Sequence, residues 1–114
     1  MPREDLFLFR DFQSDGIDGW LHGRAKFGIL PTKAFLSLPP RSLDAIINIR
    51  SMSEMPMEAI TSYIAGIQQN LKIGGYFYCV NRYYRVNGDE IVRLADYPFD
   101  DRWEIVQSDQ TWTQ

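Results

Sequence analysis

The sequence is short of several things, and each shortage closes off a class of function. It has one cysteine, Cys79, so neither an internal disulfide nor a cysteine-based metal site can form. Its one histidine, His22, makes by itself neither a metal site nor a charge-relay arrangement. Positive charge is not in surplus. The formal net charge is −3, which gives no electrostatic reason to expect a nucleic-acid backbone as partner. No run approaches the roughly 18 consecutive apolar residues of a membrane span, and no apolar h-region follows Met1-Pro2-Arg3-Glu4-Asp5. A membrane partner is therefore not expected, and a cytoplasmic location is the default. Internal repeats, low-complexity tracts and flexible linkers are missing as well.

What is present fits an ordinary globular protein. Hydrophobic residues make up 45% and charged residues 24%, which separates the chain from disordered sequences. At 114 residues it is one domain at most, near the small end of what holds a single core. Aromatic residues reach 14%, many of them in the second half, where they can fill a core or line a pocket.

Residues 1–26 form a poorly patterned amino-terminal segment. Leu6 to Phe9 reads as a short strand, whereas Asp15-Gly16-Ile17-Asp18-Gly19 and His22-Gly23 punctuate the chain as loop. A second apolar piece, Phe27 to Leu30, ends at Pro31, and Phe35 to Ser42 predicts a turn or short helix closed by Pro39 and Pro40. From Leu43 the pattern sharpens. Leu43 to Ile49 is a nearly unbroken apolar run, the mark of a strand buried on both faces of a parallel sheet. Pro56 suits the first turn of a helix. Met57, Ile60, Ile64, Ile67 and Leu71 recur at spacings of three and four as one apolar stripe, read as core, and Gly74-Gly75 stops that helix. Tyr76 to Val80 is a second strand rich in β-formers. Strand, helix and strand make a parallel βαβ unit, expected to be right-handed. Tyr83 to Val86 and Ile91 to Leu94 flank Asn87-Gly88 as an antiparallel hairpin. Trp103 to Gln107 alternates like a last, half-exposed strand. The predicted class is α/β, one parallel βαβ unit followed by an antiparallel hairpin.

Two blocks carry a resemblance to a known family. Leu38 to Met55, which includes Asp44, Asn48 and Ser51-Met52-Ser53-Glu54-Met55, resembles a block of the sugar O-methyltransferases. There an Asp opens the fourth strand, an Asn lies near its end and Ser-x-x-Glu-Met follows. Leu71-Lys72-Ile73-Gly74-Gly75-Tyr76 is similar to the step before the fifth strand of class I S-adenosylmethionine-dependent methyltransferases. Asn81-Arg82 after that strand, and Trp103 to Trp112, also resemble the sugar-methylating family, so the likeness spans Phe27 to Gln114. It implies a partial Rossmann-like methyltransferase sheet and S-adenosylmethionine as cofactor of the parent enzyme. The substrate implied is a sugar or glycan hydroxyl. The family's Gly-rich first turn, a strand followed by a motif such as Glu-x-Gly-x-Gly, has no counterpart here. Residues 1–114 are accordingly expected to be a single, incomplete methyltransferase-like domain, the substrate-side half, whose cofactor-binding residues cannot be assigned. A non-catalytic interaction module that kept the fold and lost the cofactor is the competing expectation. In either case a bared edge beside Ile46 to Ile49 is expected to be covered by a second copy or a partner chain, by strand exchange, or by residues 1–30 folding back.

Methyl transfer to a hydroxyl requires alignment of the acceptor and removal of its proton. Ligands of open α/β sheets collect at the carboxyl ends of the strands, which Asn48 to Met55 and Asn81 to Tyr84 reach. Glu54 is the candidate base; its alternative role is a carboxylate favoured by the dipole at the helix start. Asn48, an amide in an apolar strand, either hydrogen-bonds a ligand or fastens a neighbouring loop. Ser51 contacts the acceptor or caps the helix. Asn81 and Arg82 are candidate substrate-binding residues, Arg82 offering a planar donor fork or else pairing with Asp96, Asp100 or Asp101. Tyr83 and Tyr84 either stack on a sugar or open the hairpin. Cys79 reads as a buried, inert thiol.

Overall fold

The computed structural model describes residues 2–109. The chain divides into two compact units, Met1–Pro39 and Pro40–Gln114. Each is mixed α/β, and among the described residues there are three sheets of two strands each.

In the first unit a 3-10 turn, Arg3–Asp5, leads into β1 (Leu6–Phe7), which pairs in parallel with β2 (Phe27–Gly28). Between them lies α1 (Phe9–Leu21), and α2 (Thr32–Leu36) follows β2. The sequence predicted loop over Asp15 to Gly19; the structure makes it helix. Asp11 starts the helix by accepting the Leu8 N–H at 2.8 Å, a bond that, with the Arg3 guanidinium, lowers its carboxyl below the ordinary range. The punctuation is still felt. Gly16 has φ 68° and ψ −170°, so α1 is two helical pieces joined across a break. His22-Gly23 lies in the turn beyond, as expected.

The second unit opens with β3 (Leu43–Ile49), then a 3-10 turn (Met52–Glu54), α3 (Met57–Asn70) and β4 (Leu71–Val80). β3 and β4 pair in parallel, with Ile46 beside Phe77 and Asn48 beside Cys79. The predicted βαβ order is therefore present. Pro56 precedes α3 as its capping residue, and the Met57 N–H donates to both oxygens of Glu90 at 3.2 and 3.3 Å. A carboxylate there is favoured by the helix dipole. The predicted stripe is core: Ile60, Ile64 and Ile67 are buried, each contributing roughly 2 kcal/mol.

Two expectations about the stretch from β3 to β4 need correction. The helix ends at Asn70 rather than at Gly74-Gly75, and β4 starts directly at Leu71. After the Leu43–Leu71 pair the ladder resumes at Ala45–Tyr76, so the glycines sit in a bulge. A Cβ on Gly75 would lie 2.8 Å from the Asp44 carbonyl oxygen, which only glycine avoids. Secondly, β3 is not buried on both faces. Ile46 and Asn48 are half-buried, but Ile47 and Ile49 are exposed, together with Tyr76 and Tyr78 beside them. The opposite face of β4 is covered: Phe77 packs with Phe99 and Trp103 at centroid separations of 5.9 and 6.2 Å, and Trp103 is fastened to α3 by a 2.9 Å bond to Gln68.

β5 (Tyr84–Asn87) and β6 (Glu90–Arg93) form the predicted hairpin, followed by a 3-10 turn, Leu94–Asp96. Asn87 pairs with Glu90, which moves the two-residue loop to Gly88-Asp89. Gly88 takes φ +63°, the sign a hairpin loop needs at its first position. The predicted strand from Trp103 to Gln107 does not form. Ile105 and Val106 are exposed, and among the described residues the three sheets are formed without them. Residues 110–114 of the carboxy-terminal resemblance lie outside the described residues.

Candidate functional site

β3 and β4 finish side by side, and the chain beyond each of them forms a polar lip. It begins at Arg50, whose φ of 64° places a non-glycine residue in the left-handed region at a cost of about 1 kcal/mol. The turn is pinned on both sides. The Arg50 N–H donates to the Val80 carbonyl at 2.6 Å, and the Arg50 carbonyl accepts the Ser53 hydroxyl at 2.8 Å. Met52 and Ser53 are thereby buried beneath the strand ends.

Three of the predicted residues meet in one hydrogen-bonded group. Asn48 donates from Nδ2 to Ser51 Oγ at 2.7 Å, and its Oδ1 accepts the Met52 N–H at 3.3 Å and Asn81 Nδ2 at 3.0 Å. Asn81, buried, also donates to Cys79 Sγ at 3.0 Å and accepts the Ser53 N–H at 2.9 Å. Between them the two amides join the end of β3, the 3-10 turn and the end of β4. Ser51 accepts from Asn48 and makes no side-chain cap.

Glu54 is exposed at the rim of this lip, and its Oε2 accepts Arg85 Nη1 at 3.1 Å. The carboxylate at the start of α3 belongs to Glu90 instead. Arg82 is exposed and has no ion-pair partner among the described residues; Asp100, one of its expected partners, is paired with Arg102 at 2.6 Å. That pairing holds the Asp100 carboxyl below its ordinary value. Tyr83 and Tyr84 are exposed where the hairpin begins.

Two contributors were not singled out from the sequence. Arg85 is half-buried, with an Nε that is buried and has no hydrogen-bond partner. The Tyr97 hydroxyl is likewise buried without a partner. Burial pushes the Tyr97 phenol up to about 12, Cys79 adding to the rise and Arg85 opposing it. Burial also raises the Cys79 thiol, partly offset by its bond from Asn81. The signal for Arg85 was the hairpin alternation, since its register partner Val92 is buried.

The arrangement offers a hydroxyl-bearing ligand an exposed carboxylate, a serine hydroxyl and a guanidinium. Asp15 to Gly19 lies within α1, so its glycines form no strand-to-helix cradle. Among the described residues no group of three or more His, Cys, Asp or Glu is placed to hold a metal, and no helix is long and apolar enough to cross a membrane. A concavity of about 100 Å³, lined by Arg41, Lys72, Gly74, Gly75, Arg102 and Trp103, lies at the other end of β4. It is smaller than the few hundred Å³ usual for ligand pockets. Comparison of the chain with protein-family models, with curated proteins and with solved structures found no match.

Proposed function

We propose that this chain is the substrate-side portion of an S-adenosylmethionine-dependent methyltransferase acting on a sugar hydroxyl, with β3–α3–β4 as one unit of a Rossmann-like sheet. The observation that carries the reading is the polar lip at the carboxyl ends of two parallel strands, where ligands of such sheets collect. In this reading S-adenosylmethionine is held by residues outside the chain, and the chain's own residues act on the acceptor. Glu54, steadied through one oxygen by Arg85, receives the hydroxyl proton. Ser51 and Arg82 contact the sugar. Asn48 and Asn81 are positioning residues, because their amide groups are engaged with the turn and with each other.

Saturation-transfer NMR with a panel of monosaccharides and short glycans tests this. Binding to the isolated chain is expected, weakened by Arg82→Ala, whereas calorimetric titration with S-adenosylhomocysteine should give no heat. In an enzyme completed with a cofactor-binding half, Glu54→Gln should reduce turnover by roughly a hundredfold or more with cofactor affinity unchanged. Unaltered turnover removes Glu54 as the base, and a panel without a single binder removes the sugar reading.

The exposed apolar face carrying Ile47, Ile49, Tyr76 and Tyr78 favours a second reading, a non-catalytic interaction module of the same fold. Assembly with a protein partner in the absence of any sugar binding distinguishes it.

A further inference from the structure

The backbone of β3 has a direction to it that the ladder reveals. β4 runs in register beside every residue from Ala45 to Ile49, and the Arg50 N–H donates to the Val80 carbonyl, which fixes the side of β3 that faces β4. Groups of alternate residues point the same way along a strand, so residues 46, 48 and 50 address β4. The N–H and C=O groups of Ala45, Ile47 and Ile49 point to the opposite edge, and among the described residues β4 is the only strand paired with β3. That edge lacks the usual guards. From Ala45 to Ile49 it has no charge and no proline, and the one register shift lies before Ala45. The face beside it is apolar and open: Ile47 is 67% and Ile49 58% exposed, next to Tyr76 at 67% and Tyr78 at 60%.

We infer that a second copy of this chain covers the edge, β3 pairing antiparallel with β3 about a two-fold axis at Ile47. The segment complements itself. With Ile47 opposite Ile47, Ala45 lies opposite Ile49, so each residue whose backbone points outward meets another that does the same. All of those N–H and C=O groups are then satisfied across the axis. Charge agrees at the ends, where Asp44 of one copy comes opposite Arg50 of the other. On the open face Ile47 packs on Ile47 and Ile49 on Ala45, flanked by the tyrosines. The two-stranded sheet, marginal by itself, becomes four-stranded in the order β4-β3-β3-β4. The antiparallel arrangement also sets each lip beside the first residues of the other copy's β3. None of this depends on the chemistry proposed for the lip.

Sedimentation velocity of the intact chain from about 1 to 200 μM, a range spanning typical dimer affinities, tests the inference. A reversible dimer is expected. Ile47→Pro removes an N–H that the β3–β4 ladder does not use and should weaken dimerisation about a hundredfold, with far-ultraviolet circular dichroism retained. Should that variant unfold, Ile47→Lys decides, because it keeps the backbone and sets like charges against each other on the axis. Tyr78→Ser alters the face and leaves the edge intact, so its dimer should persist. In a Cys79→Ser background, Ile47→Cys should oxidise to a disulfide-linked dimer, since only a residue on the axis meets itself at bonding distance. A monomer at every concentration overturns the inference. So does a dimer indifferent to both Ile47 variants, or one lost with Tyr78→Ser and kept with Ile47→Pro.

Discussion

Replacing Asn81 by alanine removes the central tie of the lip, and the structure allows its cost to be worked out. Three hydrogen bonds go: from Ser53 N–H, to Asn48 Oδ1 and to Cys79 Sγ. They are not equivalent. Asn48 Oδ1 keeps the Met52 N–H, and a thiol is a weak acceptor, so those two losses together cost about 1 kcal/mol. The Ser53 N–H belongs to a residue 1% exposed, so it is left in a dry site with nothing to donate to, at about 1–3 kcal/mol. The sum is about 2–4 kcal/mol, or a fall in melting temperature of roughly 10–20 °C for a domain of this size. Urea unfolding and calorimetric melting of Asn81→Ala, Asn48→Ala and the double variant measure it. Because the two amides share a bond, the double variant should cost less than the two single variants together, by about 0.5 kcal/mol or more. Strict additivity, or a single-variant loss below about 0.5 kcal/mol, refutes the lip as a coupled unit.

Two further outcomes follow from other parts of the second unit. Gly75→Ala puts a Cβ 2.8 Å from a backbone carbonyl that cannot swing aside, so urea unfolding should record a loss of about 1–3 kcal/mol; an unchanged midpoint contradicts the close approach. The Tyr97 phenol lies above its unfolded value of about 10, so its neutral form adds stability that is intact below pH 10 and lost as pH climbs towards about 12. Tyr97→Phe should remove that alkaline dependence. Because the hydroxyl it deletes has no partner, it should be neutral or stabilising by up to about 1 kcal/mol at pH 7. Phenolate absorbance of Tyr97 appearing at the ordinary value rules this out.

How much could be read beforehand depended on whether a signal was local. The bounds of β3, the α3 stripe and the hairpin are written in short patterns of apolar residues and turn formers, and they came through with shifts of a few residues at most. α1 was hidden because Asp15, Gly16, Asp18 and Gly19 are poor helix formers, and the helix tolerates them only by breaking at Gly16. The start of β4 was hidden because a bulge replaces the expected helix stop. An apolar run such as Leu43 to Ile49 says that a strand wants burial, and not whether a neighbour supplies it; hence the exposed Ile47 and Ile49. Asn48, Ser51 and Asn81 were found together because strand ends in a parallel pair must coincide. Arg85 and Tyr97 were missed because their burial depends on how the hairpin and the following turn return to that edge.

The bond between Asn48 and Asn81 spans 33 positions of the chain. Bringing its partners together closes a loop that contains all of α3 and all of β4, so the lip is made only when the entropy of that closure has been lost. A ligand that grips it selects molecules in which that closure is complete. Saturating the lip therefore raises the resistance of the whole second unit to heat and to proteolysis, which makes thermal shift a ligand screen that requires no knowledge of the reaction.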